Sequence, residues 1–476
     1  MPSRSASTHR YLVLVLICLA QFMVILDATI VNVALPTIGK DLRLNEANLQ
    51  WIINAYTLVF GGFLLLGGRA GDIVGRKRLF LIGLVIFTSA SLLNGLASSA
   101  GMLIGFRALQ GLGAALISPA ALSIITTTFE EGAERARALG VWAAIAVGGS
   151  AVGLLLGGVL TQALSWPWIF FVNVPVGIAG FVLSLRFVPE SRDEHARGFD
   201  VAGATTATAG LMALVYAIVK APSVGWGSGR TIGFFTLAAV LLGAFLAIQL
   251  RTAAPLVRLS IFRVRSLATA NVVMFLVASG LFAMFFFNTL YIQRVLGYGP
   301  LTAGLAFLPF SGGIMISAGL ASQLAPRLGV RPVAAVGMVV TIAGMLFLTR
   351  LPVHGSYAAD VLPSLLLTSL GMGAVFMPLT LVATTGLENE DQGLASGLFN
   401  TSQQIGGSVG LAILTTVATS RTHGPSAAAL VHGFHWAFAG GALFVAAALT
   451  VFAVALRRRH VERIQAEAAA PTVANV

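Results

Sequence analysis

Fourteen apolar stretches of membrane-crossing length divide this chain of 476 residues: 11–34, 48–67, 79–98, 101–127, 137–162, 168–188, 201–219, 231–250, 267–292, 301–323, 332–350, 360–386, 393–418 and 434–456. A helix needs about 20 residues to cross a hydrocarbon core about 30 Å thick. No water reaches the backbone there, so each stretch must close its own hydrogen bonds as a helix. The expected fold class is an all-α membrane protein with 14 transmembrane helices. A composition of 57% hydrophobic and 10% charged residues excludes an ordinary soluble globular domain.

The first stretch follows a short basic leader, Arg4 to Arg10, but is about twice as long as a secretory signal core and reads as a retained helix. It contains the only cysteine, Cys18. That excludes an intrachain disulfide and a cysteine-based metal site, and neither metal nor cofactor is expected. A net charge of +12 would suit nucleic acid, yet its distribution points to a bilayer. With the amino terminus in the cytoplasm, most of the 29 Lys and Arg are cytoplasmic, led by Arg76-Lys77-Arg78, Arg258, Arg263, Arg265 and Arg457-Arg458-Arg459. This is the positive-inside pattern, and an even number of spans places both termini in the cytoplasm. The expected partner of that charge pattern is the lipid bilayer, not nucleic acid. High Ala, Gly and Arg content suggests a GC-rich bacterial genome, and the expected location is the bacterial cytoplasmic (inner) membrane.

We read one acid, Asp27, inside these stretches. An ionisable group in hydrocarbon is costly unless protonated, paired or hydrated, so it marks a functional site. Asp27 lies about 24 Å along a helix entering from the cytoplasm, and Arg107 about 9 Å below the outer end of the fourth span. Both fall in the outer half of the membrane, and Gln110 shares the face of Arg107 at i+3. Asn32 follows Asp27 on the same helix. The ninth and thirteenth spans add Asn271, Asn288, Asn400, Gln403 and Gln404, which can hydrogen-bond a substrate or another helix. Most of Phe282, Phe285, Phe286 and Phe287 are expected to face lipid.

Two blocks recur at nearly the same offset. Gly111-Leu-Gly-Ala-Ala-Leu-Ile-Ser-Pro119 returns as Gly371-Met-Gly-Ala-Val-Phe-Met-Pro378, and Gly148-Gly-Ser-Ala-Val-Gly153 returns as Gly406-Gly-Ser-Val-Gly410. Internal repeats of this kind mark transporters built from two halves. The expected organisation is a six-helix bundle over 1–190, a linker with two extra helices over 191–265, a second six-helix bundle over 266–460 and a cytoplasmic tail over 461–476.

At the cytoplasmic end of the second span stands Gly68-Arg-Ala-Gly71-Asp72-Ile-Val-Gly75-Arg76-Lys77-Arg78. It resembles the loop signature of the major facilitator superfamily, where an acid, a tight glycine turn and a basic cluster join helices 2 and 3. Leu26 to Pro36, Leu103 to Gly113, Trp166 to Pro175 and Gly393 to Gln404 narrow the resemblance to the fourteen-span drug:proton antiporters of that superfamily. The resemblance implies that Asp72 latches one end-state of a rocking transporter, that Asp27 and Arg107 meet, and that the protein is monomeric. In these antiporters helix 5 carries a Gly-Pro pair before its final glycines; here Leu154 stands in place of the proline. Gly149, Gly153 and Gly157 keep a four-residue spacing, with Gly158 adjacent, which leaves a smooth face for close helix packing.

A Walker A loop is absent, since none of Lys40, Lys77 and Lys220 stands in that context, leaving an ion gradient as the energy source. The expected function is export of small, lipophilic, neutral or monocationic drugs in exchange for protons, with Asp27 carrying the proton. Desolvation favours its neutral form, while Arg107 or a bound cation favours the carboxylate. The rival readings are a facilitator-type symporter or uniporter for a metabolite, and an exporter of an endogenous metabolite. A membrane-embedded enzyme is disfavoured, because His423, His432 and His435 fall in the last outer region without nearby carboxylates.

Overall fold

A computed structural model describes residues 4–130, 132–192, 198, 200–384, 389–424 and 426–456; Arg457-Arg458-Arg459 and the expected tail 461–476 lie outside them. The described chain is helical. Its long helices are α1 (Arg4–Asp41), α2 (Trp51–Val74), α3 (Arg76–Gly95), α4 (Ala100–Thr128), α5 (Ala133–Ala163), α6 (Trp168–Phe187), α7 (Val201–Val224) and α8 (Gly229–Arg251). They continue with α9 (Arg265–Val295), α10 (Pro300–Leu328), α11 (Val330–Leu348), α12 (Tyr357–Thr384), α13 (Asn389–Arg421) and α14 (Ala427–Ala455).

Twelve of these are long and apolar enough to cross a membrane among the described residues. The other two expected spans fall on α5 and α13, whose 31 and 33 residues suffice in length. Hydropathy alone does not place them. The apolar part found in α5 is Gly148–Ala163, and α13 is diluted by Asn400, Thr401, Ser402, Gln403, Gln404 and Ser408.

Where helices begin, short polar side chains take up the free N–H groups of the first turn. Ser99 Oγ accepts from Met102 N at 3.3 Å before α4, and Asp200 Oδ1 accepts from Gly203 N at 2.7 Å before α7. Asp360 corrects the reading of Asp27 as the only acid: it is the first residue of the stretch 360–386. It stands in the first turn of α12, where a carboxylate suits the helix dipole, and accepts from Ser356 N at 2.7 Å.

The chain forms two compact units, Met1–Leu256 with Gly297–Leu305, and Val257–Leu296 with Ala306–Val476. In the first, α4 is wedged between α2 and α3 by its own glycines. A Cβ on Gly111 would strike the Tyr56 carbonyl of α2, and one on Gly113 would strike the Phe87 backbone of α3. Both α7 and α8 pack with this unit: Gly62 of α2 leaves room for Thr208 of α7, and Lys220 Nζ donates to Asn48 Oδ1 at 2.8 Å. In the second unit Gly371 lies against Thr341 of α11 and Gly373 against the Ile314 carbonyl of α10. The glycine blocks found in the sequence are thus helix contacts in both units.

Candidate functional site: a buried ion pair in the first unit

Asp27 of α1 and Arg107 of α4 are 0% and 1% exposed. Their side chains meet: Arg107 Nη1 lies 2.5 Å from Asp27 Oδ2. Two charges withdrawn from water need each other and further hydrogen bonds to persist. Both have them. Gln110 Nε2 donates to Asp27 Oδ1 at 2.8 Å and Asn173 Nδ2 donates to the same oxygen at 3.0 Å. Arg107 also donates to Gln110 Oε1 at 2.7 Å and, through Nε, to the Ile52 carbonyl at 3.2 Å. Its guanidinium carbon sits 4.3 Å from the centre of the Tyr56 ring, a cation–π contact that is strongest when desolvated.

Three other helices hold this pair in place. The wedge glycines of α4 aim Arg107 and Gln110 inward, and α2 supplies Tyr56 and the Ile52 carbonyl. From α3, Asn94 Nδ2 donates to Gln110 Oε1 at 2.7 Å, while Ser91 Oγ accepts from Asn173 Nδ2 at 3.1 Å and donates to the Phe170 carbonyl at 2.9 Å. α6 pauses in a turn at Val172 and restarts at Asn173, with Pro175 in the first turn of the new segment, where its missing N–H costs least. This break delivers Asn173 to Asp27. The sequence pairing of Asp27, Arg107 and Gln110 matches the geometry, whereas Asn173, Ser91, Asn94 and Tyr56 were not singled out. The available signal was a buried amide in the block Trp166 to Pro175.

The glycine face of α5 packs on α1 directly beside Asp27. Gly149 faces Phe22 and Ile25, Gly153 faces Leu26 and Thr29, and Gly157 faces the Ile30 carbonyl. Gly158 lies on another side, against Leu301, and Leu154 is buried. The same packing recurs in the second unit, where Gly406 faces Phe275 and Gly410 faces Ser279 of α9. Matching Leu26 to Ser279 puts Gly280 where Asp27 stands. Gly280 presses on the Gly441 carbonyl of α14, leaving no room for a side chain.

Asn32 Nδ2 donates to the Ala28 carbonyl of its own helix at 3.4 Å, away from the ion pair. In the second unit Asn400 is exposed and bonds Ser396 of its own helix, Gln403 and Gln404 are half-buried, and Ser402 Oγ donates to Asn271 Oδ1 at 2.8 Å. Asn288 is fully buried, and neither end of its amide has a partner among the described residues. Phe286 and Phe287 do not face lipid: both are buried, and Phe287 packs on Phe434 and Phe438 of α14. Phe287 thus fills the interface of α9 with α14, and Phe286 packs edge-on against it.

The loop between α2 and α3 is fastened to the end of α6. Gly75 has φ 113°, which glycine adopts without strain, and a Cβ there would meet the Glu190 carboxylate. Glu190 Oε1 accepts from Lys77 N at 3.1 Å, Arg78 Nε lies 3.6 Å from Glu190 Oε2, and Arg76 N donates to the Ser191 carbonyl at 2.8 Å. Asp72 pairs with Arg76 at 3.1 Å, and Gly68 lies against Pro119 of α4.

Membrane-crossing helices in two units with repeated packing, and a sealed polar cluster in one of them, fit a membrane transporter. The chain belongs to the Major Facilitator Superfamily, whose sequence profile matches residues 17–411. It is 41% identical to the puromycin resistance protein pur8 of Streptomyces alboniger, over 93% of this chain and 90% of that protein. It is 40% identical to the cephamycin export protein CmcT of Amycolatopsis lactamdurans, over 91% and 90% of the two chains. Among solved structures, a bacterial homologue of the human lysosomal transporter Spinster superposes with a TM-score of 0.66 at 17% identity, covering 96% of this chain and 98% of that one. That likeness concerns the fold.

Proposed function

We propose that this transporter exports small, lipophilic, antibiotic-like compounds across a bacterial cytoplasmic membrane in exchange for protons, with Asp27 as the proton-carrying group. The supporting observation is the sealed Asp27–Arg107 pair, the one place among the described residues where a buried carboxylate meets a buried guanidinium. Its relatives are named for puromycin resistance and cephamycin export, which makes compounds of those classes the first substrates to try.

The pair is neutral as it stands. A neutral lipophilic substrate therefore meets no electrostatic opposition, whereas a monocation must compete with Arg107 for Asp27. One acid carries one proton, so exchange for a monocation is electroneutral. Export of a neutral compound moves one charge inward and draws about 2.3 kcal/mol from each 100 mV of potential. The protein works as a monomer with both termini in the cytoplasm, and it alternates between inward and outward access.

The test is substrate-driven proton movement in proteoliposomes containing a pH-sensitive dye, with puromycin as the first probe. The native protein moves protons when the probe is added and a protonophore abolishes the gradient-driven export. Asp27→Asn moves none. Undiminished proton movement in Asp27→Asn would remove Asp27 from this role.

A further inference from the structure

Asp27 accepts three hydrogen bonds and donates none: Arg107 at Oδ2, Gln110 and Asn173 at Oδ1. That is the environment of a carboxylate. A carboxylic acid brings its own proton and needs an acceptor for it. Arg107 has none to offer. Asn173 spends its N–H groups on Asp27 and Ser91 together, so turning it over breaks two bonds at once.

Gln110 is the group able to reverse, because the two ends of an amide are nearly the same shape. Its carbonyl Oε1 now accepts from Arg107 Nη1 and Asn94 Nδ2, each at 2.7 Å. The arginine can only donate, and this fixes the present orientation of Gln110 and hence of Asn94. Reversal would place Gln110 Nε2 against Asn94, which must then answer with its own carbonyl. Asn94 Oδ1 is buried and has no partner among the described residues, an arrangement that native proteins rarely leave unused.

We propose that Asn94 and Gln110 are coupled amide rotors, with Asn94 the positioning residue, whose joint reversal lets the site hold Asp27 in either protonation state. The proposal rests on Asp27 as the proton carrier. In the carboxylate state, Asn94 Nδ2 donates to Gln110 and Gln110 Nε2 donates to Asp27. A proton arriving from water binds Asp27 Oδ1; the new O–H donates to Gln110 Oε1, and Gln110 Nε2 donates to Asn94 Oδ1. Every bond in the row keeps its place and changes direction. Arg107 Nη1 loses the Gln110 acceptor and then faces Gln110 Nε2 donor to donor, so it must draw back toward Asp27 Oδ2 while Nε keeps the Ile52 carbonyl; protonation thus loosens the hold on the guanidinium. Arg107 and Tyr56 are the ionisable groups facing Asp27; Ser91 and Asn94 from α3, the glycines of α5 and Asn173 from α6 do not ionise near neutral pH.

Infrared difference spectra of the full chain in lipid, recorded between alkaline and acid pH, test this. In the native protein a protonated-carboxyl band that is missing from Asp27→Asn grows in together with a shift of the side-chain amide carbonyl bands. In Asn94→Leu the carboxyl band persists with its midpoint displaced by about one pH unit or more, because the reversed Gln110 has no acceptor. In Asn94→Asp, which is close to the native shape and accepts without donating, Gln110 stays reversed and the amide bands stop following the titration. The proposal is overturned if the native amide bands ignore the titration of Asp27, or if both variants behave as the native protein does. If no carboxyl band belongs to Asp27, the proton-carrier reading fails first and the rotors with it.

Discussion

Arg107 and Asp27, 80 positions apart in the chain, share a 2.5 Å contact sealed from water, and the two partners differ in how they tolerate losing one another. A carboxyl left alone can take up a proton; a guanidinium cannot give one up. Asp27→Ala therefore strands a buried cation and is expected to destabilise the protein by about 3–5 kcal/mol. Arg107→Ala is expected to be milder, and the double variant less than additive. Thermal unfolding in detergent checks the order: Asp27→Ala should melt lowest, with the double variant above it.

Charged residues were legible because hydrocarbon makes them rare. Asp27 and Arg107 stood out of apolar runs, and helical spacing tied Gln110 to Arg107. Asn173, Ser91 and Asn94 stayed hidden for the opposite reason: neutral amides and hydroxyls are common in membrane helices, and sequence does not reveal which neighbour they meet. The break in α6 that aims Asn173 is a turn at Val172; Pro175 fits a helix start there but does not say which neighbour Asn173 meets. The glycines of α5 were legible as a smooth face, but not that the face rests on α1. The extra pair α7 and α8 was read from the sequence as an insert, but its seat on α2, through Gly62–Thr208 and the Trp51–Tyr216 ring contact, depends on neighbours that the sequence does not pair.

Glycines of α5 are graded by what they touch. A methyl at Gly149 would meet the side chains of Phe22 and Ile25, tightly at Phe22 (3.3 Å), whereas one at Gly157 would press on the Ile30 carbonyl at 2.6 Å. Side chains can shift and a helix backbone cannot. Gly157→Ala is expected to lower stability by about 1–3 kcal/mol and to cut export, with Gly149→Ala near native. Melting temperature and drug efflux, measured on both, check the ranking.

Gly75 combines a positive φ with a carboxylate where its Cβ would be. Gly75→Ala is expected to lose more than the ordinary penalty of about 1 kcal/mol for a side chain in that conformation, because it also displaces Glu190. Glu190→Gln keeps the shape and an acceptor for Lys77 N but gives up the charge paired with Arg78. The exposed pair is worth little, so Glu190→Gln should transport nearly as well as the native protein while Gly75→Ala does not. Initial efflux rates at matched expression decide it.

Why one unit carries the charge follows from a single pair of glycines. The position in α9 that corresponds to Asp27 is Gly280, where a side chain would meet the Gly441 carbonyl and the Met345 methyl, neither of which donates a hydrogen bond as Arg107, Gln110 and Asn173 do. An acid placed there would be buried, unpaired and pressed on a carbonyl oxygen, a combination disfavoured by desolvation and by repulsion. Gly280→Asp introduced into Asp27→Asn is therefore expected to lower the melting temperature and to leave proton exchange lost. Recovery of substrate-driven proton movement in that double variant would show that the two units are interchangeable at this level, and that the close contact of Gly280 with Gly441 does not confine the acid to α1.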